Sequence, residues 1–471
     1  MGRRNRKSKI FENIEVIDAG AKGKAIAKAP DGKIIFLNNA VPGDVVTVQT
    51  GKQRKAYYEA KVLSYQKFSD KRTEPVCQHF ENCGGCKWQN MDYPYQLEYK
   101  EKEVVQNLIR IGHLDLPKTA PILGCKEVYS YRNKMEFSFA AKRWLTWEEI
   151  ASEASVDAYP ACGFHISGMW DKILDIEQCH LQEEPSNAIR NFVKNFAIEQ
   201  HISFFDPRSQ EGLLRTMMIR ISSTKQVMVL IQFYKNDKKK INLLLEAVAA
   251  KFPQITSLQY VINGKANDTI YDQEVILYKG LDHIVEKMED LQFKINAKSF
   301  YQTNSVQAYE LYKIVRDFAG LQGDEVVYDL YTGTGTIAQF LSKNARQIIG
   351  IESVPEAIMD AKENAKINQI DNVEFIVGDM KVVFTDEFLS LHTHPDLIIT
   401  DPPRDGMHKK VVEQILKIAP KKVIYVSCNS ATQARDLALM KAQYSIRKMQ
   451  PVDMFPQTHH VENVVLLELN T

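Results

Sequence analysis

The chain reads as a multidomain α/β protein that closes on a doubly wound parallel sheet, and three observations carry this. From residue 296 onward, apolar strand-like runs alternate with helical segments, the pattern of a parallel sheet covered on both faces. The first 68 residues hold five short strand-like runs separated by turn signals, the pattern of a small barrel. Between them, residues 69–295 mix helical and strand patterns and open on a tight cluster of cysteines. At 471 residues the chain exceeds one ordinary core, and two or three domains are expected.

The totals set the class. Hydrophobic residues make up 44% and charged residues 25%, the composition of a globular protein. No apolar run reaches the roughly 20 residues of a membrane span. The N-terminal MGRRNRKSK is charged but is not followed by the apolar core of a secretory signal. A cytoplasmic location without a membrane partner is therefore expected. The net charge of +1 is uninformative, but its distribution is not. Met1 to Asp70 holds 14 Lys plus Arg against 7 Asp plus Glu, a basic arm and domain suited to a polyanion such as nucleic acid. The seven cysteines, an odd number, argue against a disulfide framework.

The barrel strands are expected at Asn13–Ile17, Ala25–Ala29, Lys33–Leu37, Asp44–Thr50 and Tyr57–Leu63, an OB-like arrangement of a kind that binds single-stranded nucleic acid. The phrase Ala40-Val-Pro-Gly-Asp44, followed by a valine-rich strand, is similar to the TRAM domain of RNA-modifying enzymes. Cys77, Cys83 and Cys86 then lie on a short loop whose diglycine lets the backbone fold so that the sulfurs converge on a metal. Cys162 is the first choice for a fourth ligand, with Cys179 and Cys125 behind it. Four thiolates suit either zinc or a [4Fe-4S] cluster.

A helix is expected over residues 93–111, from the apolar spacing of Leu97, Val104, Val105, Leu108 and Ile109. It is a candidate to pack on the C-terminal domain. In the α+β middle, strands are expected at Lys134–Ala140, Met217–Ser222, Val227–Phe233 and Leu258–Ile262. Tyr131-Arg-Asn-Lys134 sets two cations at a strand start, where they can meet phosphate. Lys235 to Lys240 reads as a solvated turn, and residues 145–158 as an acidic insertion. The C-terminal domain, 296–471, has a helix over 306–319, parallel strands near 326, 348, 373, 397 and 423, and a closing hairpin from about 446 to 469.

Ligands of such a sheet bind outside the carboxyl ends of the strands, and the reactive residues cluster there. Asp329-Leu-Tyr-Thr-Gly-Thr-Gly335 ends the first strand and lets the backbone approach a nucleotide-like ligand. Glu352 ends the second at the spacing of a carboxylate that takes ribose hydroxyls, and Asp379 follows the third. Asp401-Pro-Pro-Arg404 ends the fourth. In the amine-methylating motif of that form an aromatic stands where Arg404 does, which argues against an amine as acceptor. Ser427-Cys-Asn429 ends the fifth. A thiol at this position supplies another route. Carbon 5 of uracil is a poor nucleophile until a thiolate adds to carbon 6, and a base must later remove the carbon-5 proton. Cys428 suits the first role. Glu462, its pKa raised by burial, suits the second, with His460 as the alternative.

Together these motifs closely resemble the bacterial 23S rRNA (uracil-5-)-methyltransferases that carry a TRAM domain and an iron–sulfur cluster, relatives of the tRNA enzyme. The resemblance rests on Cys77-x5-Cys83-x2-Cys86 with Cys162, Phe300-Tyr-Gln-Thr-Asn304, the Asp329 glycine loop, Asp401-Pro-Pro-Arg404, Ser427-Cys-Asn429 and Pro456-Gln-Thr-x-His-Val-Glu462, in family order along nearly the whole chain. It implies a class I methyltransferase domain and a [4Fe-4S] cluster on Cys77, Cys83, Cys86 and Cys162. It implies S-adenosyl-L-methionine contacts from Gln302, Tyr331, Glu352 and Asp401, and Asp379, from its place after the third strand, is positioned to meet the adenine. Cys428 would be the nucleophile, Glu462 the base, and Phe300 would stack on RNA. Thr332 and Thr336 depart from the Cys and Asn that many relatives carry in the glycine loop. The expected substrate is 23S ribosomal RNA at a single-stranded or looped uridine, flipped from its stack, and the expected state is a monomer. The competing readings are a tRNA uracil-5 methyltransferase and a non-catalytic RNA-binding assembly factor.

Overall fold

A computed structural model describes residues 8–53, 56–146, 149, 152 and 159–470. The N-terminal barrel closes in the order β1-β2-β3-β5-β4, from Ile10–Ala19, Ala25–Lys28, Ile34–Leu37, Val45–Gln53 and Tyr57–Lys67. Its strands alternate, so that Ile35, Leu37, Val46, Val48 and Tyr58 fill the interior. β3 and β5 pair in parallel and the other neighbours antiparallel, which makes it a Greek-key barrel. The Pro42-Gly-Asp44 turn locks the exit of the barrel. Buried Asp44 accepts from the Val41 amide at 2.7 Å and the Ser69 amide at 2.9 Å, and pairs with Arg72 at 2.8 Å. Gly43 has φ of +99°, and a Cβ there would lie 2.7 Å from the Ser69 hydroxyl, so another residue would be strained twice over.

Helix α1, Tyr93–Arg110, leaves the barrel and packs on the C-terminal sheet. Val104 and Leu108 share a core with Val423, Tyr425, Leu437 and Tyr444. The central unit is a seven-stranded sheet of order β12-β11-β10-β9-β6-β7-β8. Its elements along the chain are β6 Lys134–Ala140, β7 Ala161–His165, β8 Ile173–Asp175, α2 Ser186–Glu199, β9 Leu214–Ile221, β10 Val227–Phe233, α3 Lys238–Lys251, β11 Ile255–Ile262 and β12 Val275–Gly280. Lys238 to Lys240 form the first turn of α3 rather than a solvated turn. Asp237 caps that turn by accepting from the Lys240 amide at 3.2 Å. Most of the acidic insertion 145–158, and the basic arm before Ser8, lie outside the described residues.

The hairpin β13 His283–Met288 and β14 Leu291–Asn296 joins the core of the C-terminal domain through Ile284, Phe293 and Ile295. Then follow α4 Ser305–Ala319, β15 Val326–Leu330, α5 Thr336–Leu341, β16 Gln347–Glu352, α6 Pro355–Ile367, β17 Val373–Val377, α7 Met380–Val383, α8 Asp386–Leu391, β18 Leu397–Thr400, α9 Lys409–Ile418, β19 Lys422–Ser427, α10 Ser430–Met440, β20 Tyr444–Val452 and β21 Glu462–Leu469. The sheet order is β17-β16-β15-β18-β19-β21-β20. β15 to β19 run parallel, and β21 is antiparallel to both neighbours. The order reverses direction between β15 and β18, the switch point at which such sheets bind ligands. No helix among the described residues is long and apolar enough to cross a membrane.

Candidate active site

The loops after β15, β16 and β17 form one side of the switch-point crevice. Tyr331 turns left-handed at φ of 62°, followed by Gly333 at 57° and Gly335 at 72°. A Cβ on Gly335 would stand 2.5 Å from the Phe375 ring, so the sharp turn requires glycine. Glu352 reaches back to this loop. Its Oε2 accepts from the Gly333 amide at 3.2 Å, and its Oε1 accepts from the Ser353 and Val354 amides at 2.6 and 3.0 Å. Asp379 caps α7 through the Lys381 amide at 3.1 Å and pairs with the Lys381 ammonium at 3.1 Å. That hydrogen bond holds its carboxyl below the usual range. Asp329 lies beneath the loop, where Thr332 Oγ1 donates to it. Burial pushes its carboxyl up to about 7.

The segment Phe300–Asn304 borders the same crevice. Thr334 Oγ1 donates to the Phe300 carbonyl at 3.2 Å, which fastens this segment to the glycine loop. The Phe300 ring is 63% exposed, while Tyr301 is buried. Gln302 sits between them and the cap of α4, where Asn304 accepts from the Gln307 amide at 3.1 Å.

The other side is built by two adjacent strand ends. β18 and β19 pair up to Thr400 and Tyr425, so Asp401 and Cys428 leave neighbouring strands at the same sheet edge. Asn429 joins their loops. Its Nδ2 donates to the Arg404 carbonyl at 2.9 Å, while its Oδ1 caps α10 through the Ala431 amide at 3.1 Å. On the far side, Ser427 pairs with Asn463, and the antiparallel register sets Glu462 opposite Cys428. Burial lifts the Glu462 carboxyl well above its ordinary value, with Asp401 adding to the effect and Arg404 opposing it. Asp401 is pushed up to about 7, first by burial and then by Asp329. The Cys428 thiol is pushed up to about 11 by burial, then by Glu462 and Asp401, with Arg404 again opposing. Before a substrate arrives, burial thus disfavours the charged form of the thiol and of both carboxyls, and Arg404 is the cation that opposes it at Cys428 and Glu462.

His460, the alternative base, lines a cavity with Thr303 and Thr458, and burial, then His459 and Arg404, pulls its imidazole down to about 3. The loop before Glu462 is held from outside the domain. Gln457 exchanges hydrogen bonds with Gln96 of α1 at 3.0 Å each way, and Asp453 pairs with Lys100 of α1 at 2.7 Å with both side chains inaccessible.

The cysteines gather elsewhere. Cys77, Cys83, Cys86 and Cys179 line one cavity of about 690 Å³ together with Arg132, Lys134, His180 and His460. Cys162 does not line it. It lies on β7 opposite Phe139, fully buried in the apolar core of the central sheet, and the charges that face it are Arg190, Asp175 and Lys194. Of the four expected positions, Cys162 is thus the one set apart from the loop cysteines, and Cys179 stands beside them instead. The signal was present: Cys179 follows the short strand Ile173–Asp175 in a turn, whereas Ala161-Cys-Gly-Phe164 has the composition of a strand interior. Burial raises Cys83 to about 11, with Lys87 opposing, and Cys86 to about 12. Among the described residues, no group of three or more His, Cys, Asp or Glu is drawn together to hold a metal ion.

Comparison with known proteins places this geometry. The family model described as tRNA (uracil-5-)-methyltransferase matches residues 210–470. The chain belongs to that family. An RNA methyltransferase of Bacteroides thetaiotaomicron is 55% identical over 95% of this chain and 99% of its own length. One from Porphyromonas gingivalis is 52% identical over 97% and 100%. Among solved structures, the Pyrococcus abyssi tRNA (uracil-54, C5)-methyltransferase in complex with S-adenosyl-L-homocysteine is 27% identical. It superposes with a TM-score of 0.74, covering 96% of this chain and 100% of that one. The protein is an RNA methyltransferase whose fold follows the uracil-5-methyltransferase family from barrel to hairpin. Tyr331, Glu352, Asp379, Asp401 and Cys428 end or follow the parallel strands at one edge of this sheet, and Glu462 enters β21 opposite Cys428. Tyr312 of α4 was missed: it is buried facing Asp401, Asp329 and Glu462, and its place on the inward face of an apolar-striped helix was the available signal.

Proposed function

We propose that this methyltransferase acts on carbon 5 of a uridine in 23S ribosomal RNA, at a looped or flipped base. The observation that carries the reading is the register that opposes Cys428 to Glu462 while Asn429 ties the Cys428 loop to Asp401-Pro-Pro-Arg404. S-adenosyl-L-methionine supplies the electrophilic methyl group, and Gln302, Tyr331, Glu352, Asp379 and Asp401 are the residues assigned to hold it. The Cys428 thiol loses its proton to solvent, and the thiolate sulfur adds to carbon 6 of the uracil, pushing the carbon 5–carbon 6 π pair into an enolate with the carbon-4 carbonyl. The electron pair released to the ring makes carbon 5 nucleophilic. After carbon 5 is methylated, Glu462 in its carboxylate form takes the carbon-5 proton, and the electrons of that C–H bond expel the sulfur. Arg404 is the cation that favours both the thiolate and the carboxylate. Phe300, exposed at the mouth, offers a face for a neighbouring base to stack on.

The shared cavity of Cys77, Cys83, Cys86 and Cys179 fits a [4Fe-4S] cluster in donor chemistry, four thiols on two loops. Such a cluster would tie the Cys77–Cys86 loop to the turn after β8. Methyl transfer itself needs no electron, so the proposed role is to shape the RNA-facing surface.

A second reading, tRNA as substrate, is favoured by the likeness along the whole chain to a tRNA enzyme. Methylation of 23S rRNA and tRNA transcripts with labelled S-adenosylmethionine, followed by nuclease mapping, separates the two. Incorporation into the ribosomal transcript alone supports the first, and incorporation into tRNA alone replaces it with the second.

A further inference from the structure

The motif Tyr131-Arg-Asn-Lys134 belongs to the central sheet, yet one of its side chains reaches the segment that borders the crevice. Asn133 immediately precedes β6, and its Nδ2 donates to the Gln302 carbonyl at 2.9 Å and to Ser305 Oγ at 2.7 Å. Its backbone amide donates to the Thr303 carbonyl at 2.7 Å, and its own carbonyl accepts from the Ile221 amide at 2.8 Å. One residue therefore clips Gln302, Thr303 and Ser305 to a strand of another unit. Glu286, buried on the β13 hairpin, completes the clip. It accepts from Ser305 Oγ at 3.0 Å and from the Ser223 amide at 3.0 Å, with Asn133 Nδ2 at 3.4 Å.

The opposite side of the segment is fixed to the catalytic unit. Thr334 of the glycine loop holds the Phe300 carbonyl, and Ser299 Oγ donates to Asp360 of α6 at 2.6 Å. Gln302 is thus held between the central sheet and the glycine loop. Asn133 Oδ1 is buried without a partner among the described residues, so the side chain is held through its amide nitrogen alone.

We propose that Asn133 is a positioning residue for the methyl donor: by clamping the Gln302 backbone from the central unit, it sets the Gln302 side chain and the Phe300 face against the glycine loop. This rests on the reading that Gln302 contacts S-adenosylmethionine. The consequence is that the central unit, remote from the transferred methyl, contributes to cofactor affinity through preorganisation.

The test is a double-mutant cycle on the full chain, titrating S-adenosylhomocysteine by calorimetry into the native protein, Asn133→Ala, Gln302→Ala and the double variant. Asn133→Ala is expected to weaken binding about tenfold, the equivalent of one or two hydrogen bonds. The double variant should bind no worse than Gln302→Ala. In methyl transfer, KM for S-adenosylmethionine should rise with kcat within about twofold, a split that loss of folded protein would not give. If Asn133→Ala loses its thermal transition, Asn133→Leu, which fills the site without a donor, takes its place under the same criteria. Unchanged affinity in Gln302→Ala refutes the cofactor contact itself. Weakened Gln302→Ala with unchanged Asn133→Ala, or losses that multiply in the double variant, overturn the positioning role alone.

Discussion

Replacing Lys100 with methionine removes one half of an inaccessible ion pair and exposes how far the catalytic hairpin depends on α1. Lys100 Nζ lies 2.7 Å from Asp453 Oδ1, and both side chains have no solvent access. At an effective dielectric near 20, that separation corresponds to about 6 kcal/mol of attraction. Asp453 keeps two neutral donors when the ammonium is lost: the Tyr93 hydroxyl at 2.9 Å and the Phe455 amide at 3.0 Å. They return part of the loss, and a cost of about 3–5 kcal/mol is expected, the range for stranding one buried charge. Asp453→Asn should cost a similar amount by stranding the ammonium without a counter-charge, leaving it neutral acceptors such as the Phe455 carbonyl at 3.2 Å and the face of the Trp88 ring. The double variant, with no buried charge and the Tyr93 bond preserved, should be more stable than either single one. Urea unfolding followed by circular dichroism measures all three. A Lys100→Met loss below about 1 kcal/mol, or a double variant as unstable as the sum of the singles, would refute the reasoning, because the pair would then be solvated or uncoupled. Because Asp453 begins the loop that leads to Glu462, Lys100→Met should also lower kcat.

Other outcomes follow from the same geometry. Glu462→Gln should stall after methylation and accumulate a protein–RNA adduct that survives denaturing electrophoresis, and adding Cys428→Ala should abolish it. The Cys428 thiol, pushed up to about 11, is protonated at neutral pH. The reactive thiolate fraction therefore rises about tenfold per pH unit below that value, and kcat/KM should climb between pH 6 and 8. Arg404→Gln removes the cation that opposes this shift, so the climb should move to higher pH, read from the full pH–rate profile. Cys179→Ser should lose bound iron after anaerobic purification while Cys162→Ala retains it, as measured by iron and sulfide analysis.

What was legible in the sequence was whatever local period and strand-end chemistry encode. The βα alternation predicted the parallel sheet, because strands buried on both faces must be continuously apolar, as Leu397–Thr400 and Val423–Val426 are. Strand ends then named the crevice, since every parallel strand delivers its last residue to one edge. Tertiary choices were not legible. Cys162 and Cys179 differ by which one a strand turns into the core, and the pairing of β7 with β6 decides that. Lys238 to Lys240 looked like a solvated turn because their charges face water on a helix whose apolar face, Ile241, Leu244 and Val248, lies further along. Asn133 lies 169 residues from Gln302, and no local pattern announces a contact of that separation.

The central claim, covalent methylation of uracil at carbon 5, is tested most directly by tritium release from RNA carrying tritium at carbon 5 of uridine. The native protein and Cys428→Ala are compared, each with and without S-adenosylmethionine, on 23S rRNA and tRNA transcripts. Release into water that requires both the methyl donor and Cys428 is the predicted result, since no other step breaks that carbon–hydrogen bond. Methyl incorporation without tritium release, or release that persists in Cys428→Ala, would contradict the account by placing the methyl on another atom or the attack on another residue.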